Sequence, residues 1–581
     1  MAKYAAFILK IKNNELQNLE LLSQGQKFTL TNRDVIYIYR STKKKKVYIG
    51  QTINFLSRHK QHYSGKEEKF NIAGFDEVMV LTSCLFNGSA LDDVEQQLIT
   101  YFVADNSGKQ VVDYNQDEVI NQTGGNKVND YKGREDVAFN VILPFWEKEL
   151  ALRDWVKTKT LNELRTKALV KYSPIKQLTS QQSNIINEIM ENETTDYVIN
   201  GDAGTGKTVL LTHLVAELLT QNRQKRVAVI VQPNWIKTAE SIFKTFGLNS
   251  TKLEVTTSTK FIKNNETYNT VIVDEAHKLS RKGSKQMASF NSIYKIPRFA
   301  DYETHLEPLM DLSNQLVLMY DVLQTIRPAN IPRVKFQELT ANFEKRYLTT
   351  QFRIQAGNSK YTSDDYINGI KYLLYKDTGL LKYTNFDPNF NRDLFREKDV
   401  DVYFGYFEDR PLHNLTDWLE EDCNYYPEHV NRILAGLVEP WRQADGKDSS
   451  ITHFHEDDLK RRWNSTQENW INSSDKDAAE QVGSVFAVQG IDLNKVGVLI
   501  GNDLLLDDKG RLYGEPKNFH NVNGKQNKEE LALPSGRKEF TLFVLNIYYV
   551  LLTRGIDGIR IGFWHNEAFK EYFKKTFGIT E

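Results

Sequence analysis

Tyr197-Val-Ile-Asn-Gly201 runs directly into Gly201-Asp-Ala-Gly-Thr-Gly-Lys-Thr208, and an apolar, helix-compatible stretch follows. A buried strand, a glycine-rich loop and a helix in that order form a phosphate cradle. The loop N–H groups around Gly201, Gly204, Thr205 and Gly206 face the anion, Lys207 reaches the β/γ oxygens and Thr208 ligates Mg²⁺. A second apolar strand, Thr270-Val-Ile-Val-Asp-Glu-Ala-His277, ends in two carboxylates. Asp274 is expected to hold Mg²⁺ through water, and Glu275 to activate the attacking water. ATP and Mg²⁺ (or Mn²⁺) are therefore the expected cofactors of this region, and ATP hydrolysis the expected reaction.

Further pieces lie on either side in a fixed order. Leu178-Thr-Ser-Gln-Gln182 precedes the loop, and Gln232-Pro-Asn-Trp235 follows the next strand. Leu316 to Gln324, Leu348 to Arg353, Val485 to Asp492 and Tyr549 to Arg554 complete the series. Together these resemble the motif set of superfamily 1 helicases. The resemblance implies adenine reading by Gln182, γ-phosphate sensing by Gln324, and phosphate-charge stabilisation by Arg353 and Arg554. Gly490 and Asp492 would stand on the nucleotide side, with Asp492 where many relatives carry Glu. Arg432-Ile-Leu-Ala-Gly436, Gln489 to Asp492 and Val496 to Asp503 resemble the helicase-like family that includes the C-terminal ATPase of Schlafen proteins.

The front of the chain carries a different chemistry. Val35-Ile-Tyr-Ile-Tyr-Arg40 and Val47-Tyr-Ile-Gly50 alternate as a hairpin across a lysine turn. Arg58 and His62, four residues apart, share a helical face. Glu95 falls on a helix expected from Ser89, and Asn121-Gln-Thr-Gly-Gly125 is a turn. These residues resemble the GIY-YIG nuclease family, with Tyr37-Ile-Tyr39 at the first motif and Tyr48-Ile-Gly50 at the second. Tyr37 then stands where that motif has glycine. The resemblance implies DNA phosphodiester hydrolysis with one divalent metal bound by Glu95. Arg58 would steady the transition-state phosphate, while Tyr39 and Tyr48, with His62 and Asn121 nearby, would orient or deprotonate water. A pentacovalent phosphate gathers negative charge, so a guanidinium and a carboxylate-held cation are the groups such a site needs.

The expected fold is α/β and multidomain. A small α+β GIY-YIG domain occupies residues 1–130 and a helical bridge 131–176. Two RecA-like, doubly wound parallel-sheet lobes follow at 177–342 and 343–581, the second with an insertion at about 361–479. That insertion is rich in tryptophan (Trp418, Trp441, Trp463, Trp470), read as core rather than as base-stacking rings.

Charge agrees with a phosphodiester partner only when read locally. The whole chain balances 75 Lys+Arg against 76 Asp+Glu. Residues 1–72 hold 14 basic against 5 acidic, or +9, and residues 73–131 hold 2 against 10, or −8. Two cysteines exclude a disulfide framework and fit a reducing compartment. The longest apolar stretch, Thr541 to Leu552, is too short to span a bilayer. A cytoplasmic protein with no membrane partner is expected. Three functions fit: an ATP-driven DNA helicase or translocase with an endonuclease at its front, the same machine directed at RNA, and an ATP-switched nucleic-acid sensor whose front domain binds without cutting. DNA, single-stranded or duplex, is the expected partner, with an oligomer or an accessory defence protein as further candidates. The family resemblance adds an association with defence against phage.

Overall fold

The computed structural model describes residues 3–64, 68–106, 118–119, 133–166, 168–173, 178–221, 224–246, 248, 251–283, 288–354, 356–357, 360–397, 402–427, 429–442, 444–445, 448, 450–464, 471, 478, 480–488, 491–521 and 524–579. The chain divides into two compact units. One comprises residues 1–190 with 208–228 and 232–255, the other residues 191–207 with 229–231 and 256–581.

In the first unit the front hairpin is the centre of a sheet. Its strands are β1 (Tyr4–Lys12), β2 (Glu15–Leu16), β3 (Val35–Ser41), β4 (Lys46–Thr52), β5 (Glu77–Ser83) and β6 (Glu118–Val119), in the order β2-β1-β5-β3-β4-β6. Strand β1, which no sequence motif announced, pairs antiparallel with β5. Tyr37 faces Gly50 across the hairpin and Tyr39 faces Tyr48. The period-two alternation sends successive residues to opposite cores. Ile36, Ile38, Ile49 and Met79 join one core, and Tyr37, Tyr39, Tyr48 and Val78 the other. The second core is closed by helix α2 (Phe55–His62) and by Phe70; α1 (Gln24–Asn32) and α3 (Glu68–Ala73) complete that side of the sequence.

The first core corrects the picture of a helical bridge. Val137, Trp146, Leu150, Trp155 and Leu164 pack into the same apolar cluster as Ile36, Leu98 and Phe102 of α4 (Gly88–Asn106). Arg134 pairs with Asp93 of α4 at 2.7 Å. The Asp105 carboxylate accepts the backbone N–H groups of Lys157 and Thr158 at 2.8 and 2.7 Å. Residues 133–173 therefore cover one face of the sheet instead of spanning a gap. Their charged surface positions concealed the apolar side.

The second unit contains two largely parallel sheets. In one, β7 (Tyr197–Gly201), β10 (Tyr268–Val273), β11 (Ser313–Tyr320) and β12 (Glu344–Leu348) pair in parallel, in the order β12-β7-β11-β10. The Asp274 N–H donates to Ile230 and the Val231 N–H to Thr256, continuing the sheet toward β8 (Val227–Ile230) and β9 (Leu253–Thr256). Because β12 belongs here, a lobe boundary at 342/343 falls one strand too early. The other sheet runs β13 (Phe404–Phe407), β21 (Gly555–Phe563), β18 (Leu493–Ile500), β14 (Arg432–Ala435), β17 (Gln481–Gly483), β16 (Leu459–Trp463) and β15 (Phe454–Glu456). A small hairpin, β19 (Leu504–Leu506) and β20 (Leu512–Gly514), lies apart. Residues 361–479 supply β13 to β16, so the expected insertion is part of this sheet. Its strands are three to five residues long, too short for a periodicity to show. Trp463 packs on Phe454 in the core, and Arg560 lies over the Trp418 ring; Trp470 lies outside the described residues. No helix among the described residues is long and apolar enough to cross a membrane.

Candidate functional site

Two groups of reactive side chains stand out, one in each unit. In the front domain, Asn54 caps α2 by accepting the Ser57 N–H, which fixes the helix that carries Arg58, His59 and His62. His62 is fully buried, stacks on Phe70 and hydrogen-bonds the Tyr37 hydroxyl at 2.9 Å. Arg58 Nε donates to the same hydroxyl at 3.4 Å. Tyr48 stacks near Tyr37 and packs edge-on to His62. The hub is thus Tyr37, Tyr48, Arg58 and His62.

The ring of Tyr39, expected in that hub, packs edge-on to Tyr37, Tyr48 and His62, but its hydroxyl bonds outside the hub. Its hydroxyl meets His59 Nδ1 at 2.7 Å, and His59 Nε2 lies 3.1 Å from the Asn14 carbonyl. A carbonyl only accepts, so Nε2 carries the proton and Tyr39 donates to Nδ1. Burial lowers the His59 pKa, in keeping with a neutral ring. Tyr39 thereby ties α2 to the β1–β2 turn. Tyr37 is the tyrosine that faces Arg58, and Gly50 explains how it fits: a Cβ at Gly50 would overlap the Tyr37 ring.

Glu95 comes to the site from α4. Gln51, at the end of β4, donates to Glu95 at 2.9 Å and to Asp92 at 2.6 Å. Burial, aided by Asp92, raises the Glu95 pKa to about 7 against the opposing pull of Gln51 and Arg58. A half-buried carboxylate whose ionisation is disfavoured, with a second carboxylate alongside, fits a hard divalent cation that keeps most of its water ligands. Asp93, adjacent to Asp92 in sequence, is engaged by Arg134 instead. Gln51 was not singled out in the sequence; only its position directly after Gly50 hinted at it. Asn121 lies outside the described residues.

In the second unit a glycine-rich loop follows β7 and leads to Lys207. Gly204 and Gly206 take φ of 85° and 83°, a region that favours glycine. Thr205 Oγ1 donates to the Asp202 carbonyl. Lys207 donates to the Gly201 and Asp202 carbonyls at 2.5 and 3.0 Å and lies 3.7 Å from Asp321. Gln324 donates to Asp321 at 2.6 Å. Asp274 ends β10, and Glu275 follows in the left-handed region at φ 52°, a strained turn that sets the direction of its carboxylate. Burial and Glu275 raise the Asp274 pKa. Burial works against ionised Glu275, but Lys278, His277, Lys207 and Arg554 outweigh it and hold the carboxyl below its usual range. This crowding of carboxylates beside Lys207 suits a divalent cation and a triphosphate.

The segment Gln351-Phe352-Arg353 lies on the loop. Gln351 donates to the Ala203 carbonyl at 2.7 Å, and the Phe352 N–H donates to Gly204 at 3.0 Å. A Cβ at Gly204 would overlap both Gln351 and Arg353. Arg353 pairs with Asp492 at 2.5 Å. Arg554 is buried and donates to the Val550 carbonyl, near enough to Glu275 to favour its ionised form. Asp321, Gln351 and Asp202 were not expected as site residues, although each lies inside or beside a quoted motif. Gly490 lies outside the described residues. Of the residues in the first unit, Thr208 is half-buried in the first turn of the helix Lys207–Gln221. Gln182 is buried, and its side-chain oxygen accepts the Thr179 N–H. Trp235 packs edge-on to Tyr172.

Comparisons with known proteins agree with this division. Residues 34–106 match the GIY-YIG catalytic domain, and residues 195–565 match the Schlafen group 3, DNA/RNA helicase domain. Uncharacterized protein YPL245W of Saccharomyces cerevisiae is 28% identical over 406 residues, covering 63% of this chain and 81% of its own length. Among solved structures, the Pyrococcus furiosus Hef helicase domain is similar with a TM-score of 0.30 and 10% identity, covering 71% of this chain and 99% of that one. A structure of Pif1 helicases at forked dsDNA gives 0.26 and 14%, with 66% and 92% covered. Likenesses at these TM-scores decide nothing about how this chain works. The family matches show the domain layout: a small GIY-YIG domain precedes helicase-like α/β domains with parallel sheets, and the chain belongs to the Schlafen group 3 helicase family.

Proposed function

We propose that the chain is an ATP-driven nucleic-acid translocase, with DNA as its substrate, that carries a divalent-metal-dependent endonuclease at its front and acts against foreign DNA. The observation that supports it most directly is the Tyr37, Arg58, His62 and Glu95 cluster: a guanidinium and a desolvated carboxylate share one site with a tyrosine hydroxyl. In the nuclease, Glu95, flanked by Asp92, would hold Mg²⁺ or Mn²⁺, which supplies Lewis acidity for a phosphate oxygen. Arg58 would neutralise charge on the phosphate, and Tyr37, held by His62, would orient water. In the motor, Lys207 and Thr208 would take the phosphates and Mg²⁺ with Asp274. Glu275 would accept a proton from water, while Arg353 and Arg554 would offset the charge that builds on the phosphate.

Cleavage of matched DNA and RNA strands with Mg²⁺, with and without ATP, tests the proposal. Metal-dependent cutting of DNA and nucleic-acid-stimulated ATP hydrolysis are expected. Cutting of RNA alone would redirect the enzyme to RNA, and binding without cutting of either would make the front domain a sensor.

A further inference from the structure

The phosphate loop of this chain carries an acid. Asp202, directly after Gly201, has its carbonyl engaged by Lys207 and Thr205, and its carboxylate is nearly buried. A second carboxylate, Asp321, lies 3.7 Å from Lys207; burial above all, and Asp202 with it, raises its pKa against the pull of Lys207. Two anions thus border a cradle whose ligand would itself be an anion. Coulomb repulsion across a few ångströms of protein is large enough to oppose binding unless a cation offsets it.

That cation is Lys371. It projects from the helix Ser363–Tyr375, whose start is fixed by a reciprocal Thr362–Asp365 cap. Its ammonium is fully buried, 2.5 Å from the Asp202 carboxylate and 2.5 Å from the Asn385 carbonyl. Its helix neighbours Ile367, Ile370 and Leu374 are buried, so the charge cannot relax into water. An isolated lysine in such surroundings would be costly, and the pair with Asp202 makes its burial tolerable.

We infer that Lys371 is a positioning residue of the nucleotide site: it neutralises the Asp202 carboxylate and draws it away from the phosphate cradle, so that a nucleoside triphosphate can enter. The inference rests on the proposed ATPase reading. Lys371 itself does not touch the nucleotide; it acts through Asp202.

Titration of a fluorescent ATP analogue into the full chain and its variants, with steady-state KM and kcat for ATP, tests the assignment. Lys371→Met leaves Asp202 unpaired and should weaken nucleotide binding about tenfold or more, raising KM far more than it lowers kcat. Asp202→Asn removes the offending charge while Lys371 stays positive, and should bind more tightly than the wild type. The double variant should return to within about threefold of the wild type, a rescue expected of charge compensation and not of a purely structural pair. Lys371→Met binding as well as the wild type would overturn the inference. So would equal weakening by both single changes without recovery in the double. Should either single variant fail to fold, since each leaves one buried charge unpaired, the double variant still decides: weakening beyond about threefold there contradicts the charge argument. A wild-type chain that does not bind the analogue at all would instead sink the ATPase reading.

Discussion

The two candidate centres are built on opposite kinds of sheet. The front centre is built on antiparallel strands, where Tyr37, Tyr48, His62 and Phe70 interlock as buried rings and Arg58, Glu95 and Asp92 bring charge. The candidate nucleotide centre sits on loops that follow parallel strands, where Lys207 lies near Asp321 and bonds backbone carbonyls, Arg353 pairs with Asp492, and Asp274 accepts the Glu275 N–H. Packing sets the first, because displacing any ring opens a cavity. Exchange of polar partners would govern the second: in the proposed ATPase, Lys207 would release the Gly201 and Asp202 carbonyls to meet a phosphate. A fixed site suits a single hydrolytic event, and a site of exchangeable pairs suits a cycle.

The largest effects should come from removing the charge that has no substitute in each centre. Lys207→Ala should lower ATP hydrolysis by about a thousandfold while leaving thermal stability near that of the wild type. Measured turnover at the normal rate would mean the nucleotide is held elsewhere. Glu95→Ala should lower metal-dependent cleavage by a similar factor, about 10³, and leave ATP hydrolysis intact. Loss of both activities in either variant would break the division into two centres. Asp93 is not a substitute ligand, since Arg134 holds it.

The same contrast explains what could be read from the chain. Loops after parallel strands present consecutive residues, so the run from Gly201 to Thr208 and the Asp274-Glu275 pair declare themselves by order alone. On an antiparallel face the pattern repeats every second residue, and Tyr37 and Tyr39 share a face. Nothing in the local sequence says which of them meets Arg58. The answer depends on the register of α2 over the sheet and on Gly50 leaving room for a ring. Long-range contributions were equally hidden. Strand β1, the apolar side of residues 133–173 and the short strands within 361–479 gain their meaning only from partners far away in sequence, as does the Lys371–Asp202 pair. Gln351 reaches Ala203 across 148 residues.

Substituting each tyrosine sharpens the contrast within the front domain. Tyr37→Phe keeps the ring over Gly50 but removes the hydroxyl shared by Arg58 and His62, and should slow cleavage about a hundredfold with a small change in stability. Tyr39→Phe should do the reverse. It leaves His59 Nδ1 without its donor in a buried setting, costing about 1–3 kcal/mol, while cleavage stays within a few-fold of normal. Denaturant melts and cleavage rates for the two variants decide the matter; a slower Tyr39→Phe with unchanged Tyr37→Phe would return the hub to Tyr39.

The smallest effect is one of pH, and it isolates Glu95. Its folded-state pKa is raised from 4.5 to about 7, chiefly by burial. Below about pH 4.5 the carboxyl is protonated in both folded and unfolded chains and costs nothing. As pH rises from there to about 7, the unfolded chain releases this proton while the folded chain retains it, so folding binds more protons and stability falls. Above about 7 the loss is complete and the profile flattens. The upper bound is about 3 kcal/mol. Other buried acids, Asp274 and Asp503 among them, are raised too and impose slopes of the same sign, so the measurable quantity is the difference between wild type and Glu95→Gln. Without metal, the wild type should lose more stability than Glu95→Gln between pH 5 and 8. Adding Mg²⁺ or Mn²⁺ at pH 8 should close that gap, because a cation on Glu95 favours the ionised form. A gap that is absent without metal, or one that divalent cations leave unchanged, would remove Glu95 from the metal site and break the comparison at its front half.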